Sequence, residues 1–127
     1  GVVDRLQIAQ YPSGVGELEL HSDPYLNQKI AISGIMSKRG MDYKTGGAYI
    51  LNSNKEKIDV EDDMDIGDIY LVYPTVFHGV ETIDKGNEVD WSSFSGRWFM
   101  GLYSNASDCY AKRHTCYGVE DQVLSGG

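Results

Sequence analysis

Apolar residues in this chain recur at every second position or in short unbroken runs, never with the sustained 3.6-residue period of an amphipathic helix. That pattern rules out a helical bundle and demands strands. "RLQIAQY" (5–11) and "ELELHSD" (17–23) alternate, with "PSGVG" turning between them. "KIAISGIMS" (29–37) is rich in β-formers, and "AYILN" (48–52) is short and apolar. "IGDIYLVYP" (66–74) is nearly continuous until Pro74 stops it. "TVFHGVETI" (75–83) alternates, and "GRWFMGLYS" (96–104) is the last strong run. Short strands without helical crossovers predict an antiparallel sandwich, jelly roll or barrel. The 15 glycines suit its turns.

At 127 residues the chain reads as one domain, 1–127, with a motif-bearing core at 4–104 and a less patterned tail at 105–127. The 19 acidic and 11 basic residues give a formal net charge of −8, so no nucleic-acid or anionic-membrane partner is expected. No run approaches a membrane span, and the N-terminus has no signal-peptide pattern. With Cys109 and Cys116 read as reduced thiols, a cytoplasmic location is expected. His114 lies between them, but the spacing matches no common zinc pattern. "DVEDDMDIGD" (59–68) holds six carboxylates in ten residues and reads as a solvated acidic loop; its glycine is misplaced for an EF-hand.

His21 and Asp23 stand two apart on a strand, so both side chains leave one face. Strict alternation puts them with Glu17 and Glu19, opposite Leu18 and Leu20. His78 sits in a second strand. Two imidazoles and one carboxylate make the facial triad that holds non-heme Fe(II) with open positions. By itself "HSD" is common and fits a polar strand end equally well. Arg97 opens the final apolar strand, where a planar guanidinium suits bidentate binding of a carboxylate.

Taken in order, "RLQIAQY", "PSGVG", "HSD", "KIAISGIMS", "GGAYIL", "GDIYLVYP", "HGVETI" and "GRW" cover residues 4–104. Over that span the chain resembles the Fe(II)/2-oxoglutarate-dependent dioxygenases, in their prolyl-hydroxylase-like branch. The resemblance implies an all-β double-stranded β-helix, the jelly-roll or cupin-like barrel. It implies His21, Asp23 and His78 as iron ligands. It implies Arg97 as the clamp on the distal carboxylate of 2-oxoglutarate, and Tyr11 as a further contact to that cosubstrate.

The chemistry implied is hydroxylation of an unactivated C–H bond of a small molecule or of a protein or peptide side chain. 2-Oxoglutarate and O₂ are consumed, succinate and CO₂ are released, and ascorbate is a candidate auxiliary reductant. Asp23 fits hydroxylation, because halogenating relatives carry Ala or Gly there. Departures are the 19 positions from His78 to Arg97, longer than is usual, and Phe99 where many relatives place Ser or Thr. The extra segment 84–95, the connection 38–46 and the turn 24–28 are expected to rim the pocket, with Trp91 and Phe94 either meeting substrate or forming a surface cluster. Two other readings stand beside this one: a jelly-roll binding domain without chemistry, and a cupin-type metalloenzyme that does not use 2-oxoglutarate.

Overall fold

A computed structural model describes residues 2–25, 28–106 and 117–118. Its regular structure is entirely β: β1 (Val2–Pro12), β2 (Leu18–Ser22), β3 (Ala31–Ile35), β4 (Gly47–Leu51), β5 (Lys57–Asp59), β6 (Ile69–Val72), β7 (His78–Glu81), β8 (Gly96–Ala106) and β9 (Tyr117–Gly118). Every pairing between these strands is antiparallel. They form two sheets, one ordered β1-β8-β3-β6 and the other β5-β4-β7-β2-β9. No helix among the described residues is long and apolar enough to cross a membrane. Cys109, His114 and Cys116 lie outside the described residues.

The seven strands expected from alternation all form. β5 was not expected, because "KID" carries no apolar run. It is a wholly exposed edge strand, held by the turn before it, where Asn52 Oδ1 accepts from the amides of Asn54 and Glu56. Lys57 on this strand pairs with Glu81 at 2.6 Å. A short charged edge discourages pairing with another chain.

β1 and β8 run in unbroken register from Val2↔Ala106 to Pro12↔Gly96. Side chains therefore alternate cleanly across the first sheet. Its inner face carries Arg5, Gln7, Tyr11, Arg97 and Tyr103, which line a cavity between the two sheets. Its outer face exposes Leu6, Ile8, Ile69, Leu71, Met100 and Leu102.

β2 breaks the period. Leu18 pairs with Val80 but His21 pairs with His78, so one extra residue is bulged between them. The bulge resets the parity, and Leu18 and His21 both line the cavity while Glu17 and Glu19 stay exposed. The expectation that His21 and Asp23 share a face with those glutamates is therefore wrong. The apolar core is a cluster of Tyr43, Ala48, Val80 and Ile83, with Tyr11 and Val60 packed against it.

Candidate functional site

His21 and His78 are direct partners across β2 and β7, so their rings meet on one face with centroids 4.4 Å apart. Asp23 lies just beyond β2, and its amide donates to the Pro74 carbonyl at 2.7 Å. This bond ties the carboxylate's backbone to the turn that leads into β7. Ligand atoms of the three side chains all lie within 4.8 Å of one another. His21 Nε2 is 3.9 Å from one Asp23 oxygen and His78 Nε2 is 3.8 Å from the other. The three side chains are 12%, 11% and 20% exposed for His21, Asp23 and His78.

The second nitrogens fix the tautomers. His21 Nδ1 is 2.7 Å from the Glu19 carbonyl, and His78 Nδ1 is 2.8 Å from the Val76 carbonyl. A carbonyl only accepts, so each Nδ1 carries a hydrogen and each Nε2 is the atom turned toward Asp23. In the neutral tautomer that binds a metal, each Nε2 would present a lone pair beside the carboxylate. Burial pushes the Asp23 carboxyl above its ordinary pKa, against the pull of His78, His21 and Arg5. Burial likewise pushes His78 below its ordinary value, although its bond to the Val76 carbonyl opposes this. Buried Gln28 donates to Asp23 Oδ2 at 3.5 Å and helps hold the carboxylate. Three converging acceptors in a partly dry site call for a cation, and two imidazole nitrogens with one carboxylate fit a borderline divalent metal.

Arg97 and Tyr11 occupy another part of the cavity wall. They are partners across β1 and β8, with the guanidinium 5.2 Å from the Tyr11 ring centre and 5.3 Å from that of Phe99. Arg97 is not free, however. Its Nε donates to Glu61 Oε1 at 2.6 Å, and Nη2 also closes on that oxygen. Tyr43 donates its hydroxyl to Glu61 Oε2 at 2.5 Å. The Arg97 and Glu61 side chains are 2% and 4% exposed. Burial alone would lower the Arg97 pKa, but the bond and charge of Glu61 outweigh it and the pKa rises. Tyr43 is raised by burial and by Glu61.

Gly47 makes this packing fit. A Cβ there would stand 2.6 Å from Arg39 Nη2 and 2.7 Å from Glu61 Oε2, and its φ of +126° is one that side-chain-bearing residues rarely adopt. Sequence reasoning missed Glu61, since nothing in the acidic run sets it apart from its neighbours. The solvated-loop reading of 59–68 is thus corrected at Glu61. Glu61 is buried against Arg97, and Asp59 takes both arms of Arg39 at 2.6 and 2.9 Å. Burial acts to raise the Asp59 carboxyl, but Arg39 holds it below its ordinary pKa. Asp62, Asp63, Asp65 and Asp68 remain exposed as expected.

The cavity encloses about 270 Å³ and reaches both polar groups. The expected rim is only partly right. Gln28 lines the cavity, but no described residue of 38–46 or 84–95 does. Those two segments meet at the far end of the sheets. There Asp84 accepts from the amides of Lys44 and Thr45 and from Ser13, and burial, which would raise its pKa, is outweighed by these bonds. Trp91 and Phe94 are 79% and 81% exposed and stand outside the cavity. Phe94 packs 6.2 Å from the Trp98 ring.

Comparison of the chain with protein-family models, curated proteins and solved structures found no match.

Proposed function

We propose that this protein is an Fe(II)- and 2-oxoglutarate-dependent dioxygenase that hydroxylates an unactivated C–H bond. The observation that carries the reading is the convergence of His21 Nε2, His78 Nε2 and the Asp23 carboxylate within 4.8 Å, with both Nδ1 atoms already engaged. The strand orders β1-β8-β3-β6 and β5-β4-β7-β2 support a double-stranded β-helix of the jelly-roll type. Arg97 and Tyr11 line the same cavity as the three ligands, as a distal-carboxylate contact requires.

When bound, iron with 2-oxoglutarate supplies the activation of O₂. The chain's own residues do the rest. Glu19 and Val76 hold the two imidazoles in the metal-binding tautomer, and Gln28 steadies Asp23. Arg97 and Tyr11, which line the same cavity, are the groups that would receive a carboxylate. The aliphatic wall of Ala31, Ile50, Val72 and Val80 excludes water around the reacting carbon.

Glu61 supports a second reading. Arg97 already holds an internal carboxylate, and a cupin-type metalloenzyme without 2-oxoglutarate would have no need of a free arginine. Anaerobic addition of Fe(II) and then 2-oxoglutarate to the purified protein separates the two. The dioxygenase should develop the weak visible metal-to-ligand absorption of a chelated complex. Iron binding without that band leaves the second reading. No iron binding sinks both.

A further inference from the structure

The cavity wall carries two arginines, and they differ in whether a protein anion answers them. Arg97 is held by Glu61. Arg5, on the same inner face of β1 and six residues from Tyr11, makes no ion pair or hydrogen bond among the described residues. Its guanidinium rests 5.3 Å from the ring centre of Tyr103. That position is built by the fold. A Cβ on Gly101 would fall 2.4 Å from the Tyr103 ring, so the missing side chain lets the ring lie flat along β8 and present its face to Arg5. Arg5 and Asp23 line the same cavity.

Along a strand, six residues span about 20 Å. Arg5 and Tyr11 are thus well separated along the inner wall, and both line the cavity that His21, Asp23 and His78 also line. The hydroxyls of Tyr11, Tyr70 and Tyr103 also make no hydrogen bond among the described residues, and all three residues line the cavity. Tyr103 is pushed up to about 12, chiefly by burial, so it remains a neutral donor. One exposed guanidinium and neutral phenol donors match the oxygens of a carboxylate.

We infer that Arg5 is a specificity-determining residue that recognises a carboxylate of the substrate, and that the substrate is a small organic acid. This rests on the dioxygenase reading, with the Asp23 group as the reacting centre. A cavity of about 270 Å³ suits a small ligand, and the net charge of −8 opposes an acidic peptide or protein.

The test uses the full chain loaded with Zn(II) and saturating 2-oxoglutarate, with hexanoate and its uncharged counterpart hexanamide as probes. Binding is read by saturation-transfer NMR. Hexanoate should bind at least tenfold more tightly than hexanamide. Arg5→Gln should erase that preference, and Arg5→Lys should retain part of it. Zn(II) and 2-oxoglutarate affinities should be unchanged in both variants. Equal binding of the two probes by the unaltered chain, or a preference that survives Arg5→Gln, overturns the assignment. A blocked acidic hexapeptide that outcompetes hexanoate overturns the small-acid class. Failure of the unaltered chain to hold Zn(II) or 2-oxoglutarate appears before any probe is added, and counts against the dioxygenase reading and this inference together.

Discussion

At one end Tyr43, Glu61 and Arg97 satisfy one another; at the other, His21, Asp23 and His78 bring their ligand atoms within 4.8 Å of one another. Both groups are polar and largely buried, yet their chemistry is opposite. The first brings two donors to one carboxylate and closes its charge internally. The second brings three acceptors together and leaves them open. A buried network that is complete serves structure. Converging acceptors of this kind are what the proposed metal site requires. Mutation can separate these roles, because stability and metal affinity should respond at different ends.

The largest effect is expected at the closed end. Glu61→Ala would strand a guanidinium that is 2% exposed, and loss of one partner of a buried pair destabilises by about 3–5 kcal/mol. Urea denaturation measures it. The double change Arg97→Met with Glu61→Leu should recover most of that loss, since a buried pair replaced by apolar groups is close to neutral. In the dioxygenase reading the same double variant loses 2-oxoglutarate while keeping metal. Retained 2-oxoglutarate affinity would remove Arg97 from its assigned role.

The open end should show the reverse. Asp23→Asn or His21→Ala should weaken Fe(II) or Zn(II) binding by more than the ~10–100-fold of an outer-shell change. The metal-free Asp23→Asn protein should be no less stable than the parent, because burial already disfavours the Asp23 charge. A variant that unfolds while the parent binds no metal would instead make this group structural. Between the two ends in size lies Gly47→Ala. It forces a strained φ and a Cβ against Arg39 and Glu61, and strain of that kind amounts to about 1–3 kcal/mol. It should lower thermal stability without changing metal affinity.

Much of this arrangement was legible in the chain, and the failures have physical causes. Strict alternation in "RLQIAQY" puts Arg5, Gln7 and Tyr11 on one face of β1 and Leu6 and Ile8 on the other. Alternation does not say which face is inside, and here the polar set lines the cavity while the apolar set is exposed. The three candidate metal ligands were legible from residue type and order, and the fold brings their side chains within 4.8 Å of one another. The bulge in β2 was not, because one added residue leaves no local signal. Glu61 was hidden for a different reason. Its partner lies 36 positions away, so only the three-dimensional pairing distinguishes it from the exposed carboxylates around it. The loops 38–46 and 84–95 were placed at the wrong end, since the strand pattern does not say at which end of the sheets the ligands cluster.

The smallest effect concerns pH, and it bears on the open end alone. His78 has a folded pKa below its ordinary 6.5, with burial as the main cause. Just below pH 6.5 the unfolded chain therefore binds more protons than the folded one. Stability rises with pH wherever the unfolded state holds the extra protons, so the metal-free protein should lose stability as pH falls from 6.5 toward the folded value. Asp23 acts in the opposite sense. Its folded pKa is raised above 3.8, so the folded state binds the extra proton and stability is regained as pH drops through that raised value. Arg97 and Tyr43, both shifted upward from already high values, contribute no slope in this range. Urea midpoints of parent and His78→Gln, compared at pH 7 and pH 5, read the His78 contribution as a difference. The gap between the two proteins should narrow at the lower pH, because the variant has no imidazole to keep neutral at that position. A gap that stays constant would mean that His78 is not held neutral by its burial, and the contrast between the two ends would then rest on the pairing geometry alone.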